Sequence, residues 1–91
     1  MKVYVPTPLR MYTGKQSSVE AQGATLAELF NDLDRQFPGM RFRIVNEQER
    51  IREHIKIFVN KEIADGLSFQ LRSGDTVRIS MALSGGIKNE V

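Results

Sequence analysis

The segment GATLAELFNDLDRQFPG, residues 23–39, carries the clearest secondary-structure signal in the chain. Thr25 and Glu28 form a T-x-x-E capping box, in which the two side chains satisfy backbone N–H groups at the start of a helix. Pro38-Gly39 ends the pattern. The apolar side chains between these signals recur at helical spacing and build one stripe: Leu26, Leu29, Phe30, Leu33 and Phe37. The segment predicts an amphipathic helix whose stripe lies in the core.

The segments on either side of this helix have the period of β-strands. Before it, a strand at residues 3–5, a turn over residues 11–16 and a returning strand over residues 17–22 predict a hairpin. After it, Ile55, Ile57 and Val59 alternate with Lys56, Phe58 and Asn60, and a similar alternation with period two recurs over residues 76–83. Both later segments therefore predict strands with one face in the core.

The order of these elements indicates the fold class. A hairpin, one long helix and two further strands is the order of a β-grasp fold, an α+β architecture with one main helix on one face of a mixed sheet. The fold type implies that the first and last strands pair in parallel at the centre. Residues 46–53 fit either a short polar helix or a loop, and Glu62-Ile63 fits a short returning strand.

Composition excludes several classes of function. The 91 residues make one domain, and the absence of cysteine excludes disulfides, thiolate metal sites and a cysteine nucleophile. No apolar run approaches the ~20 residues of a membrane span, and the start of the chain lacks a secretory signal. We therefore expect a cytoplasmic protein. Thirteen basic and eleven acidic residues are largely intermixed, which does not favour binding to nucleic acid.

The sequence contains no recognisable catalytic motif. The one histidine, His54, is interpreted as an ordinary surface residue. The carboxylate pairs Asp32/Asp34 and Glu47/Glu49 do not face one another at this spacing and are interpreted as solvated charge. We therefore predict no catalytic residues and no metal site, and the protein is not expected to be an enzyme.

The end of the chain is the most informative functional feature. The last predicted strand continues into Ser84, Gly85 and Gly86, and residues 87–91 follow. A pair of residues without Cβ atoms can thread a narrow channel, which suggests that the carboxyl group of Gly86 is reactive. In the encoded chain that carboxyl group is not free, because it forms the peptide bond to Ile87. The alternative is that the glycine pair is only a flexible turn.

Four short stretches carry a resemblance to a known family. They are GATL at residues 23–26, IFVN at residues 57–60, SGDTVRI at residues 73–79 and SGG at residues 84–86. In this order they resemble the ubiquitin-like sulfur carriers of the MoaD/ThiS type, which include the molybdopterin synthase small subunit and the thiamine sulfur carrier. The resemblance covers residues 1–86 and implies a ubiquitin-like β-grasp domain.

The resemblance also implies a chemistry performed by partners. In this family an E1-like adenylating enzyme uses ATP to activate the terminal glycine, which is Gly86 here. A sulfur donor displaces AMP, and the resulting thiocarboxylate passes its sulfur to a sulfur-accepting synthase. The protein is then a carrier and a co-substrate of its partner enzymes, with no cofactor of its own.

The covered glycine departs from the usual family pattern, in which glycine is the last residue. The simplest hypothesis is that a JAMM/Mov34-type metallopeptidase cuts between Gly86 and Ile87, so that residues 87–91 form a removable extension. Relatives with such extensions suggest cysteine, homocysteine or methionine synthesis as the destination of the sulfur. The alternatives are a molybdopterin synthase small subunit, a ubiquitin-like modifier joined to lysines through Gly86, and a binding module whose tail is never processed.

Three residues are candidates for contact with a partner. Phe58 lies opposite to Ile57 and Val59 in the strand alternation, so it belongs either to an apolar contact patch or to a second small core. Arg78 points away from the core positions and either pairs with an acidic partner surface or is solvated. Leu83 directly precedes the tail.

Overall fold

The computed structural model describes residues 1–82, which form one sheet, two α-helices and one 3₁₀ helix. The strands are β1 (Lys2–Tyr4), β2 (Ser18–Glu20), β3 (Ile55–Val59), β4 (Glu62–Ile63) and β5 (Thr76–Met81). The helices are the 3₁₀ helix Thr7–Thr13, α1 (Leu26–Gln36) and α2 (Met40–Ile44). The predicted hairpin, main helix and later strands are all present.

The sheet has the order β2-β1-β5-β3-β4. β1 and β5 are parallel neighbours, with Val3 opposite Val77, and the three other pairings are antiparallel. The first and last strands therefore lie at the centre of a mixed sheet, as the β-grasp topology requires. This confirms the predicted fold class.

The core lies between one face of the sheet and α1. In β5, Val77 and Ile79 are buried whereas Arg78 between them is exposed, and β3 alternates in the same way. Four residues of the predicted helical stripe have no exposed surface and join the strand residues in a single cluster: Leu26, Leu29, Phe30 and Leu33. The fifth residue of the stripe, Phe37, is half-buried and packs against this cluster. Each fully buried side chain stabilises the fold by roughly 1.5–3 kcal/mol.

The start of α1 is capped as the sequence predicts and is also bound by a distant segment. Thr25 Oγ1 accepts a hydrogen bond from Glu28 N at 3.3 Å, and Glu28 Oε1 accepts one from Ala24 N at 3.0 Å. The first-turn amides of Leu26 and Ala27 donate to the carbonyl groups of residues 69 and 67. The segment before β5 thus satisfies N–H groups that a helix leaves unpaired. Within residues 1–82, no helix is both long and apolar enough to cross a membrane.

The connection between β1 and β2 differs from the prediction. Residues 11–13, expected in a turn, complete the 3₁₀ helix, and the turn is confined to Gly14 and Lys15 at φ 64° and 70°. Pro6 precedes this helix and Pro8 lies in its first turn, where a fixed φ and a missing N–H are tolerated. The prolines therefore begin a helix as well as ending β1.

The segment after α1 forms a second helix that was not predicted. Gly39, at φ 95°, reverses the chain, and Met40 and Ile44 are buried one helical turn apart. Asp34 Oδ1 accepts hydrogen bonds from Gly39 N and Arg41 N, both at 3.1 Å. Asp34 thus ties α1 to α2, a role that its interpretation as solvated charge missed. Residues 46–53 form a loop.

Candidate functional site

The start of β5 is held by the residues that carry the family resemblance. Asn60 follows β3 with φ 57°; its Nδ2 donates to Asp75 Oδ1 at 3.0 Å, and its Oδ1 accepts from Thr76 N at 3.1 Å. Asp75 Oδ2 accepts a third bond, from Arg72 N at 2.9 Å. The Arg72 N–H, followed by the Asn60 amide, lowers the pKa of Asp75 below its ordinary value. We call these contacts the Asn60–Asp75 lock.

The other end of β5 leads to the tail. Met81 lies opposite Ile55 in the β3–β5 ladder and packs against the core. One residue later, the Ala82 N–H donates to the His54 carbonyl oxygen at 2.8 Å. The chain is therefore held by backbone hydrogen bonds up to Ala82. The predicted reactive glycines, the cleavage bond and Leu83 lie outside the described residues.

The sheet face opposite α1 carries two of the three predicted contact residues. Phe58 and Arg78 are direct neighbours across β3 and β5, and the row continues to Tyr4 on β1 and Ile63 on β4. Phe58 is half-buried, whereas Ile63 is 58% exposed. The Arg78 guanidinium lies 4.6 Å from the centroid of the Tyr4 ring. We call Tyr4, Arg78, Phe58 and Ile63 the open-face row.

The two residues in the middle of this row, Phe58 and Arg78, were predicted from the sequence, whereas Tyr4 and Ile63 at its ends were not. Tyr4 alternates with Val3 and Val5 and could have been placed on the open face from that alternation alone. Ile63 belongs to a strand of two residues, which is too short to show a period. The register of the sheet is what brings the four side chains together.

A groove of about 330 Å³ runs beside the last residues of β5. Its lining includes Tyr4, Arg78, Ser80 and Met81, together with Arg10 of the 3₁₀ helix. Arg10 Nε donates to the Val5 carbonyl at 3.0 Å, which fixes this guanidinium near β1. The groove joins the open-face row to the point where the chain leaves the sheet, and its charged lining residues are basic. Such a surface suits recognition by another protein.

The described residues around this surface include no candidate metal site. Among residues 1–82, His, Asp and Glu side chains form no group of three that could hold a metal ion. His54 is exposed, in agreement with its interpretation as a surface residue.

Comparison with curated proteins finds sulfur carriers. The chain is 35% identical over 89 residues to the sulfur carrier protein CysO of Mycobacterium tuberculosis, an alignment that covers 92% of this chain and 96% of that protein. The crystal structure of CysO from the same organism superposes with a TM-score of 0.85 at 33% identity, covering 90% of this chain and 98% of that one.

Two further solved structures extend the comparison. The Amycolatopsis orientalis BexX/CysO complex contains a chain with a TM-score of 0.86 and 39% identity, covering 93% of this chain and 98% of that one. Small archaeal modifier protein 1 of Haloferax volcanii has a TM-score of 0.73 at 23% identity, covering 93% of this chain and 97% of that one. The second likeness concerns the fold alone.

The match to a family model agrees with the resemblance carried by the motifs. The model of the ThiS family matches residues 3–86, from β1 to the second glycine of the pair. The Asn60–Asp75 lock gives the shared motifs of this region a structural role, since it holds the strand that leads to that glycine. This chain belongs to the ThiS family.

Proposed function

We propose that this chain is a sulfur carrier protein that works as a thiocarboxylate on Gly86 after removal of residues 87–91. The observation that carries the proposal is the extent of the family match, which includes Gly85 and Gly86 and stops there. The similarity to CysO proteins over nearly the whole chain supports the same function. Residues 1–86 are then the functional domain and the remainder is an extension.

The proposed chemistry takes place on partner proteins. A JAMM/Mov34-type metallopeptidase hydrolyses the amide between Gly86 and Ile87 and so frees the glycine carboxylate. An E1-like adenylating enzyme then joins this carboxylate to the α-phosphate of ATP, and pyrophosphate leaves. A sulfide equivalent attacks the acyl carbon, AMP leaves, and the product is a thiocarboxylate. The carrier is a co-substrate throughout.

The geometry of the described domain suits this division of labour. β5 is hydrogen-bonded to a strand on each side, and the Asn60–Asp75 lock fixes its start. β5 should therefore keep its position in the sheet when a partner binds the tail in its active site. The tail glycines lack the Cβ atoms that would obstruct a narrow channel. The domain acts as a handle and the tail carries the reactive group.

The open-face row is the surface that we assign to the partner enzymes. Phe58 and Ile63 supply apolar area, and Arg78 supplies a charge beside them. Aromatic and arginine side chains are common at the centres of protein interfaces. The BexX/CysO complex is an instance of a relative assembled with another protein. Leu83 continues toward the tail and is assigned to the same contact.

The destination that we propose for the sulfur is cysteine synthesis, with homocysteine, methionine or another sulfur metabolite as alternative products. The proposal follows the curated relatives, which are CysO carriers of nearly the same length. The final acceptor is a synthase that binds the carrier and uses the thiocarboxylate as its sulfur nucleophile.

The test is the intact mass of three versions of the chain recovered from the native cell without a C-terminal tag. The full-length chain should lose residues 87–91 and exchange one oxygen for sulfur. A chain that ends at Gly86 should acquire sulfur without trimming. Ile87→Pro should remain full-length and free of sulfur, because proline removes the amide N–H and fixes the backbone at the cleavage bond.

Two results would reject the proposal. If the chain ending at Gly86 acquires no sulfur after sulfur is restored to starved cells, the carrier function is wrong. If instead Gly86 becomes joined to lysines in conjugates that survive reducing denaturation, the chain is a protein modifier. Sulfur on an Ile87→Pro chain that is still full-length would reject the precursor hypothesis alone.

A further inference from the structure

A second groove lies on the other side of the point where β5 ends. It has a volume of about 380 Å³ and meets the first groove at Met81. Its rim includes Met11 of the 3₁₀ helix and Phe42 of α2, which are 78% and 55% exposed. Its basic lining residues are Arg43, Arg52 and His54. We call it the Phe42 groove.

The arginines of the Phe42 groove are held in place by hydrogen bonds. Arg43 Nε donates to the Tyr12 hydroxyl at 2.8 Å. Arg52 Nε donates to the Phe42 carbonyl at 2.9 Å, and its guanidinium carbon lies 4.7 Å from the centroid of the Phe42 ring. Each bond uses Nε, so these contacts leave the terminal nitrogens available. Side chains already ordered in this way lose less entropy when a partner binds.

Positive charge is concentrated in this groove although the whole chain carries only +2. The lining contains no Asp or Glu. Within the described part of the chain, no carboxylate forms an ion pair with Arg43 or Arg52, and the nearby Glu49 pairs with Arg41 at 2.7 Å. Within residues 1–82, therefore, the charged side chains that line the groove are basic.

We propose that the Phe42 groove is a second docking site, which binds an acidic segment with apolar side chains on the protein that receives the tail. The proposal rests on the proposed carrier function. Met11 and Phe42 would contact the apolar side chains, and Arg43 and Arg52 would pair with the carboxylates. Because the groove adjoins Met81, a partner that takes up the tail must approach this end of the domain.

The same observations favour a protein over single-stranded nucleic acid. Nucleic-acid grooves bind bases by stacking on open aromatic faces. The exposed ring here, that of Phe42, already has the Arg52 guanidinium near it, and the most exposed apolar side chain is the aliphatic Met11. An apolar rim combined with fixed arginines matches the composition of a protein interface.

The groove is expected to orient the partner protein and to raise the rate at which the two proteins associate. Complementary charge around a binding site accelerates association by roughly tenfold or more and selects the correct orientation. For a carrier that meets several partners in turn, this fixes the direction from which the tail enters. Reversal of a groove charge should therefore slow loading of the tail.

The experiment compares single variants expressed in the native cell. Arg43→Glu, Arg52→Glu and Met11→Asp alter the groove at side chains outside the core. Lys61→Glu is the matched control, since it makes the same charge change at an exposed turn at the opposite end of β3. The readout is the initial rate at which thiocarboxylate appears, by intact mass, after sulfur is restored to starved cells. Thermal unfolding of each purified variant checks the fold.

The proposal predicts a fall of about tenfold in the loading rate for each groove variant, with no change for Lys61→Glu. Arg43→Lys and Arg52→Lys should retain most of the rate because they keep the charge. Groove variants that load at the wild-type rate while remaining folded would overturn the proposal, as would an equal loss in Lys61→Glu. Tight binding of a labelled single-stranded RNA, lost in the Arg→Glu variants with loading unchanged, would instead identify a nucleic-acid site.

Failure of the carrier function gives a different result. If the wild-type chain and a chain ending at Gly86 both acquire no sulfur, the proposed function is wrong and the docking proposal falls with it. If both acquire sulfur and the groove variants match them, only the docking proposal is wrong.

Discussion

Replacement of Asn60 by alanine should reveal how strongly the domain depends on the Asn60–Asp75 lock. The Asn60 side chain donates to Asp75 at 3.0 Å and accepts from the Thr76 N–H at 3.1 Å, and the residue has φ 57°. It therefore joins the end of β3 to the start of β5 while holding a left-handed backbone conformation. Asn60→Ala removes both hydrogen bonds and places a residue with no compensating side chain in that conformation.

The magnitude follows from these separate contributions. Each lost hydrogen bond costs about 1 kcal/mol, and the left-handed conformation costs alanine about 1 kcal/mol more. We expect Asn60→Ala to lower the free energy of unfolding by about 3 kcal/mol. Asn60→Gly has no Cβ and accepts a positive φ, so its cost should be near the roughly 2 kcal/mol of the two hydrogen bonds alone. A loss of this size is a large fraction of the stability of a small domain.

The assay is urea unfolding at neutral pH, with the free energy obtained by linear extrapolation. Thermal unfolding gives an independent check, since 1 kcal/mol shifts Tm by roughly 4–8 °C in a domain of this size. Asn31→Ala is the control, because Asn31 is exposed in the middle of α1 and alanine is the better helix former. If the free energy of unfolding of Asn60→Ala lies within about 0.5 kcal/mol of the wild-type value, the Asn60–Asp75 lock does not stabilise the domain as expected.

The remaining predictions concern two glycines, two carboxyl groups and Arg78. Gly23→Ala should cost about 1–3 kcal/mol, because a Cβ there would clash with the backbone nitrogen of Leu29. Gly66→Ala, whose Cβ would meet nothing within 4 Å, should change stability by less than about 0.5 kcal/mol in the same urea assay. Hydrogen bonds from Gln22 N to Asp32 and from Arg72 N to Asp75 lower the pKa of each carboxyl from 3.8. The two carboxylates should therefore contribute their full stabilisation at neutral pH and lose it as the pH falls below about 4. The same urea assay, repeated at several pH values, should show a smaller loss of stability in acid for Asp75→Asn, which keeps only the Asp32 contribution. Arg78→Glu should reduce sulfur loading with little loss of stability, and Arg78→Lys should retain more of the loading; equal loading in all three chains would exclude Arg78 from the contact.

The sequence predicts the parts of the fold that depend on a regular period. The stripe of α1 and the alternation of β3 and β5 are enough to identify which face of each element is buried. The 3₁₀ helix and α2 are too short to show a full period; the first follows Pro6 and the second follows Gly39 at positive φ. In each case a local signal exists, namely Pro8 in a first helical turn and the spacing of Met40 and Ile44.

The candidate site is only partly visible in the sequence, because register and loop packing assemble it. Phe58 and Arg78 become neighbours through the antiparallel ladder of β3 and β5, which no local pattern encodes. The Phe42 groove collects side chains from segments that are far apart along the chain. In the sequence its arginines belong to a mixed run of charges, and only the fold brings Arg43 and Arg52 to a groove whose lining contains no Asp or Glu.

The parallel pairing of β1 with β5 determines when the domain can be completed during protein synthesis. The β1–β2 hairpin and the β3–β4 hairpin are joined into one sheet only through β5. While the ribosome still holds β5 in its exit tunnel, both hairpins expose an unpaired inner edge, and contacts this distant in sequence are slow to form. A chain whose translation stops before residue 76 therefore leaves two separate hairpins with open edges, which are substrates for chaperones and proteases. The sheet can therefore be completed only after the segment that leads to the glycine pair has been synthesised and has left the exit tunnel.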